Sequence, residues 1–429
     1  MRNCFSLGSA FRFIPVSSRI IATMTASSSS TSLFGGIPTA PPDSILGLTE
    51  AFQADKNPDK MNLSVGVYKD ASGQTPILDC VKAAEQRLVD TEATKGYLPI
   101  DGGPDYRGHV RKLVFAETIA AERVTVVQTP GGTGALRESA AFIADQLSGR
   151  RVWVPSPTWA NHNSVFASER LLVENYRYLG SDKKSFDIDG MLDDLSSKTN
   201  VGDAVLLHAC CHNPTGVDPT PSQWAQIADV VAERGLLPLI DFAYQGFGHG
   251  LDEDAESIRA ISAKCDELMV CSSFSKNFGL YSERVGALCV VSSDSATASA
   301  IQSQIKKLVR TNYSNPPRHG AAVVATILDD EKLTAQWHDE LAMMRNRIKT
   351  LREQFVETMK TTGAGHDFSF LLDQNGMFSF SGLNPMQVDE LLHKHSIYIV
   401  GSGRINVAGM SESRMGHLCE AIAKVVEGS

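Results

Sequence analysis

Between residues 124 and 291 the chain alternates short apolar, β-branched runs with longer stretches whose apolar residues recur every three or four positions. The runs Val124–Val127, Val152–Val154, Ala204–Ala209, Leu236–Ile240 and Leu268–Val270 are short and bounded by glycine, proline or polar residues, so they predict strands. Val285–Val291 predicts one more. Between the first two, Leu136, Ala140, Ile143 and Leu147 share a helical face that stops at Gly149. Strands and helices in alternation predict an α/β fold with a mostly parallel sheet.

The flanks have another texture. Met61–Tyr68 reads as a strand with Gly66 at its centre, where glycine is costly unless something approaches the backbone closely. A long amphipathic helix carries Leu341, Met344, Ile348, Leu351, Phe355 and Met359 and closes near Gly363. Beyond it lie the short segments 367–372 and 376–380, a helix near Met386–His395, a run at Ile397–Val400 and the loop Gly401–Asn406. These predict a smaller α+β domain that also takes in the N-terminal strand. The expected organisation is a leader over 1–32, an arm and part of the small domain over 33–75, a large domain over 76–344 and the small domain over 345–429. The stretch 34–42, rich in Gly and Pro, reads as extended, and its apolar residues need a docking surface such as a partner subunit.

Five of the predicted strands deliver polar or glycine-rich residues just past their C-terminal ends: Thr129–Gly134, Pro155–Trp159, Cys210–Gly216, Asp241–Phe247 and Cys271–Gly286. Ligands in open α/β sheets bind at that edge, so the five loops predict one site. Lys276 sits among hydroxyls, with Arg284 eight positions on. A nucleophilic amine beside an anion-binding arginine suits pyridoxal phosphate, although most lysines are solvated surface charges. Gly132, Thr133 and Gly134 would offer bare backbone N–H groups at a helix start, a phosphate cradle or a plain glycine turn. Asp241 follows a buried run, so it either pairs with a cation such as a pyridinium nitrogen or caps a helix. Tyr244, three residues on, could reach the same ligand. His208, Cys210 and His212 alternate as metal ligands would on one strand face, but adjacent cysteines without a second ligand pair favour a scaffold for Asn213–Gly216; no metal is expected. Arg404, between glycines, and Arg310, ahead of a double proline, could each grip a carboxylate bidentately, or serve as surface ion-pair residues.

Composition narrows the partners. The formal charge is −9, which argues against nucleic acid and requires locally placed arginines for any anionic ligand. No stretch reaches the length of a membrane span. Eight scattered cysteines, without a CxxC spacing, read as reduced thiols. Residues 1–42 lack Asp and Glu and carry Arg2, Arg12 and Arg19 among serines, which reads as an organellar transit peptide. A mitochondrion is the first expected destination and a plastid the second, with a cytoplasmic form if translation starts at Met24.

Taken together, SFSKNFGLYSERVG, CCHNPTG, DFAYQGF, TPGGTGALR, RTNYSNPP and NGMFSFSGL resemble, in order, the signatures of the aspartate aminotransferases among the class I pyridoxal-phosphate aminotransferases. The resemblance runs from about Leu33 to near the C-terminus. It implies the type I fold of pyridoxal-phosphate-dependent transferases, with a seven-stranded, mostly parallel large-domain sheet beside a smaller α+β domain. It implies transfer of an amino group from L-aspartate to 2-oxoglutarate in a ping-pong cycle, by a homodimer with shared active sites. Lys276 would carry pyridoxal 5'-phosphate and move the proton. Asp241, with His162 behind it, would pair with the ring nitrogen; Tyr244 and Asn213 would bond the phenolic oxygen; Trp159 would stack on the ring. Gly132, Thr133, Ser273, Ser275 and Arg284 would hold the phosphate, with Tyr97 from the neighbouring subunit. Arg404 would take the α-carboxylate near Gly66 and Asn213. Arg310 from the neighbouring subunit would take the distal one, with Ser314 and Phe378 as further pocket residues. A transaminase preferring aromatic amino acids, a decarboxylase using the same cofactor and a non-catalytic scaffold are the competing readings.

Overall fold

A computed structural model describes residues 32–40 and 46–428; the expected leader falls on residues outside this range. The described residues 32–40 belong to one unit and 46–428 to another. Within the first, residues 33–36 make a turn, and Leu33, Phe34 and Ile37 are exposed.

Strands β1 (Met61–Asn62), β2 (Val124–Pro130), β3 (Arg151–Ser156), β4 (Leu172–Arg177), β5 (Ala204–His208), β6 (Leu237–Phe242), β7 (Leu268–Ser273), β8 (Val285–Val291), β9 (Phe378–Phe380), β10 (Ile397–Tyr398) and β11 (Arg404–Asn406) make three sheets. The large one has seven strands in the order β2-β8-β7-β6-β5-β3-β4. All its pairs are parallel except those of β8, which runs antiparallel to both β2 and β7. Strands β5, β7 and β8 are buried at every position. Helices cover both faces of such a sheet, so its strands read as continuous apolar runs and were visible as such. Strand β4 went unpredicted because it is an edge strand whose side chains are mostly exposed and polar.

The two small sheets tie the ends of the chain together. β1 pairs in parallel with β10, and β9 pairs antiparallel with β11. The predicted eight-residue strand at 61–68 is only two residues long, because beyond Asn62 the chain bends toward the ligand edge. Leu63 still donates to Tyr398 O at 2.8 Å and accepts from Asn406 N at 2.8 Å, which fixes where Ser64–Gly66 lie. The segment 369–373 is a 3-10 turn.

The long helix Glu331–Thr361 starts where Asp330 accepts from the backbone N–H groups of Lys332 and Leu333. Its Trp337 is fully buried, stacks on Phe278 at 4.2 Å and donates to Asn277 O at 2.7 Å. That contact pins the loop after β7 that carries Lys276. Truncating so large a buried aromatic typically costs about 3–5 kcal/mol. All seven described cysteines are buried and free.

Candidate active site

The C-terminal ends of β2, β3, β5, β6 and β7 converge on one cavity, closed on the other side by Gly66, Phe378 and Arg404. Its chemistry divides into three parts.

The first is an anion cradle. β2 ends at Pro130 and the helix Gly131–Gln146 begins at once, with no side-chain cap and no acidic residue in its first turn. The first N–H groups of a helix have no intrahelical acceptor and sit at the positive end of its dipole. Gly132 and Thr133 line the cavity there. Arg284 approaches so closely that a Cβ on Gly131 would overlap its guanidinium, with Cζ at 2.9 Å; Gly131 also holds φ +72°. Arg284 Nη1 donates to Ser275 Oγ at 3.2 Å and to Tyr281 O at 2.9 Å, and Ser273 Oγ donates to Ser275 Oγ at 3.2 Å. A guanidinium, two hydroxyls and a bare helix start facing one space fit a phosphate ester, so the residues present suit pyridoxal phosphate.

The second part is a buried amine opposite a buried carboxylate. Lys276 lies 4.6 Å over the Tyr244 ring. Burial and the nearby Arg284 charge lower its pKa to about 8 against the upward pull of Asp241, which brings a neutral amine within reach near physiological pH. Asp241 is inside β6 rather than past its end, so the helix-cap reading falls away. Burial pushes its carboxyl up, but the hydrogen bond and charge of His162, then His208 and Lys276, hold it below the ordinary carboxylate range. His162 Nε2 meets Asp241 Oδ2 at 3.1 Å, while its Nδ1 meets Thr158 Oγ1 at 2.8 Å. Thr158 Oγ1 also meets His208 Nε2 at 3.1 Å. Burial lowers the His208 pKa to about 3, so that imidazole is neutral and the anion stays on Asp241.

The third part is a buried cation with no counter-ion. Arg404 is 4% exposed, and among the described residues no carboxylate lies within ion-pair distance. It donates to Asn213 Oδ1 at 3.2 Å and Ser64 O at 2.6 Å, rests on the Phe378 ring at 4.2 Å, and leaves Nε without a partner. A buried guanidinium satisfied only by neutral acceptors is stabilised by an incoming carboxylate. A Cβ at Gly66 would stand 2.7 Å from Phe378 Cζ, so any other residue there displaces that ring.

Thirteen of the sixteen predicted site residues line this cavity; Tyr97, Arg310 and Ser314 do not. Tyr97 is 94% exposed. Arg310, in the last turn of the helix Ser295–Asn312, donates to Ser314, so the two stand together outside the cavity of their own chain. Sequence reading missed Leu136, Ala243 and Tyr281, which also face the cavity, and the Thr158 bridge. Tyr281 was findable, five residues past Lys276 in the same loop; Thr158 was not, because its role depends on His208, 50 residues on, arriving beside it. The supposed ligand row His208–Cys210–His212 breaks up: the two histidine rings lie 4.3 Å apart, while Cys210 clusters with Cys211 and Asp254. Asp254 there is occupied by the backbone N–H groups of Gly246, Gly248 and His249.

The family model for aminotransferases of class I and II matches residues 58–422. The curated aspartate aminotransferases of Haemophilus influenzae and Escherichia coli are each 52% identical over 397 residues, covering 92% of this chain and 100% of theirs. The crystal structure of an aromatic-amino-acid aminotransferase from Burkholderia pseudomallei, covalently bound to pyridoxal phosphate, superposes with a TM-score of 0.89 at 44% identity. It covers 92% of this chain and 100% of that one. These relatives are bacterial, which overturns the expected mitochondrial destination. An acid-free, serine-rich stretch reports composition, and composition alone does not encode an organelle.

Proposed function

This chain belongs to the class I and II aminotransferases, and from that premise we propose how its pocket divides the work of its reaction. The reaction is reversible transfer of an amino group between L-aspartate and 2-oxoglutarate, giving oxaloacetate and L-glutamate, with pyridoxal 5'-phosphate as cofactor. The observation that carries the assignment of roles is the buried Lys276 amine, its pKa lowered to about 8, between an anion cradle and an unpaired arginine. The bound cofactor supplies an aldehyde for condensation with an amine and a ring that takes up the electron pair left at Cα.

Lys276 would hold the cofactor between turnovers and, as a free amine, would remove and return the Cα proton. Asp241 would keep a proton on the ring nitrogen, since its own pKa, held low by His162, keeps it anionic for that task. Tyr244 and Asn213 would bond the phenolic oxygen and Trp159 would cover the ring. Gly132, Thr133, Ser273, Ser275 and Arg284 grip the phosphate. Arg404 orients the α-carboxylate, with Gly66 leaving room, so that the Cα–H bond faces Lys276. Phe378 supports Arg404 and helps to keep water out.

The distal carboxylate needs a second cation, and within this chain the cavity has none beyond those named. We assign that role to Arg310 of the partner subunit, beside Ser314, and we assign Tyr97 of the partner subunit to the phosphate. Exposed Tyr97, Leu33, Phe34 and Ile37 support a homodimer. The division into an arm with part of a small domain (33–75), a large domain (76–344) and the rest of the small domain (345–429) belongs to the same proposal. Preference for aromatic amino acids is the second reading, favoured by the Burkholderia structure.

Measuring kcat/KM for L-aspartate and L-phenylalanine with 2-oxoglutarate tests the assignment. Aspartate is expected to be the better substrate; turnover of phenylalanine with aspartate inert would overturn it. Mixing Lys276→Ala with Arg310→Asp tests the shared site. Each is inactive on aspartate alone, and the hybrid dimer regains one intact site; no regain in a mixture shown to exchange subunits refutes sharing.

A further inference from the structure

A second cavity, of about 490 Å³, shares no lining residue with the substrate pocket. One wall is the long helix, which presents Arg345, Lys349 and Arg352 at intervals of four and three residues, and so on one face. The opposite walls are the loop Phe247–His249 and the segment 374–376. Glu353 is the only acidic side chain among the lining residues and is exposed. Among the described residues none of the three cations has a carboxylate within ion-pair distance. Asp254 and Asp218 stand behind the walls, but their oxygens already accept backbone N–H groups, of Gly246, Gly248 and His249 and of Cys211 and His212. Arg352 is 5% exposed and bonds only to Ser379 Oγ and to the carbonyls of Gly376 and Phe378.

An independent feature is Gln374. It is 2% exposed, forms part of the cavity wall, and neither its amide nitrogen nor its amide oxygen has a partner. An unsatisfied buried amide is costly, and it asks for a ligand that both accepts and donates a hydrogen bond. A carboxylate or a sulfate only accepts. Hydrogen phosphate, or a phosphate ester with a free hydroxyl, does both.

We propose that this cavity is a second binding site, for a small hydroxyl-bearing phosphate anion, and that its occupancy is transmitted to the grip of Arg404 on substrate. The route is short. Arg352 holds the carbonyls of Gly376 (2.7 Å) and Phe378 (3.4 Å), and the Phe378 ring lies 4.2 Å under Arg404. An anion that draws on Arg352 changes that hold. The binding half stands on the cavity alone; the transmission half rests on the assigned role of Arg404.

The test is calorimetric titration of inorganic phosphate into the cofactor-loaded enzyme, with sulfate as comparator. Wild type is expected to bind phosphate about tenfold more tightly than sulfate, the worth of one buried hydrogen bond. Lys349→Glu is expected to weaken phosphate about tenfold or more, since it puts a like charge in the site. Lys349 is exposed, so this variant folds; Gln374→Leu is expected to abolish the preference over sulfate. Arg404→Lys leaves phosphate affinity unchanged. Saturating phosphate is expected to alter KM for aspartate in wild type and not in Lys349→Glu. Equal phosphate affinity in wild type and Lys349→Glu overturns the site, as does loss of phosphate binding in Arg404→Lys, which would place the ion in the catalytic pocket. Phosphate binding sensitive to Lys349 with KM unmoved overturns the transmission and leaves the site standing.

Discussion

Gly131→Ala separates the anion cradle from mere backbone strain. Gly131 sits at φ +72°, where an alanine costs about 1 kcal/mol relative to glycine. Its new Cβ would also meet Arg284 Cζ at 2.9 Å, so the guanidinium must move off its bonds to Ser275 Oγ and Tyr281 O. If Arg284 makes a charge-assisted hydrogen bond to the cofactor phosphate, losing it costs about 1.5–3 kcal/mol. That corresponds to a cofactor Kd raised roughly 10- to 150-fold. Gly73→Ala is the matched control, since Gly73 has φ +80° with nothing within 4 Å of an added Cβ. Gly131→Ala is expected to lose at least as much apoenzyme stability as Gly73→Ala, and only Gly131→Ala to lose cofactor affinity, read by absorbance after equilibrium dialysis. Wild-type cofactor affinity in Gly131→Ala would refute the argument that Arg284 and the helix start form the phosphate site.

Arg404→Lys keeps the charge but loses the planar fork, so kcat/KM for aspartate is expected to fall about 10- to 100-fold. The absorbance of its bound cofactor should stay unchanged, whereas a spectral change would move Arg404 from substrate to cofactor. The Lys276 amine, with its pKa near 8, should make cofactor capture by apoenzyme faster as pH rises through 8 and level off above about 9. A rate flat from pH 6 to 10 would contradict a buried, neutralising amine. The same lowered pKa means that the unfolded chain binds more protons between 8 and about 10.4, so wild-type apoenzyme should gain stability relative to Lys276→Ala as pH rises across that window. Equal melting temperatures of the two throughout would count against it.

The sheet was legible where it is buried on both faces. β5, β7 and β8 are uninterrupted apolar runs, whereas the edge strand β4 has its side chains largely in water and gave no signal. The strand-end rule gathered Gly132, Trp159, Asn213, Asp241 and Lys276 because chain order and sheet edge coincide there. Gly66, Phe378 and Arg404 come from segments that reach the pocket only by tertiary folding, and motif resemblance rather than periodicity supplied their roles. Of the bridge behind Asp241, the resemblance supplied His162, whereas its continuation through Thr158 to His208 was illegible, since it depends on side chains distant in the chain meeting at 2.8 and 3.1 Å. The shared face expected for His208, Cys210 and His212 does not form, because strand alternation stops at His208, where β5 ends.

The central claim is that the Lys276 amine, and no other, bonds the cofactor. Borohydride reduction of the loaded enzyme, followed by proteolysis and mass spectrometry, reads this directly. The account predicts a single reduced phosphopyridoxyl group on the peptide bearing Lys276, lost when aspartate is added before the reductant. The same group on another lysine, or none in an enzyme that transaminates aspartate, would contradict it.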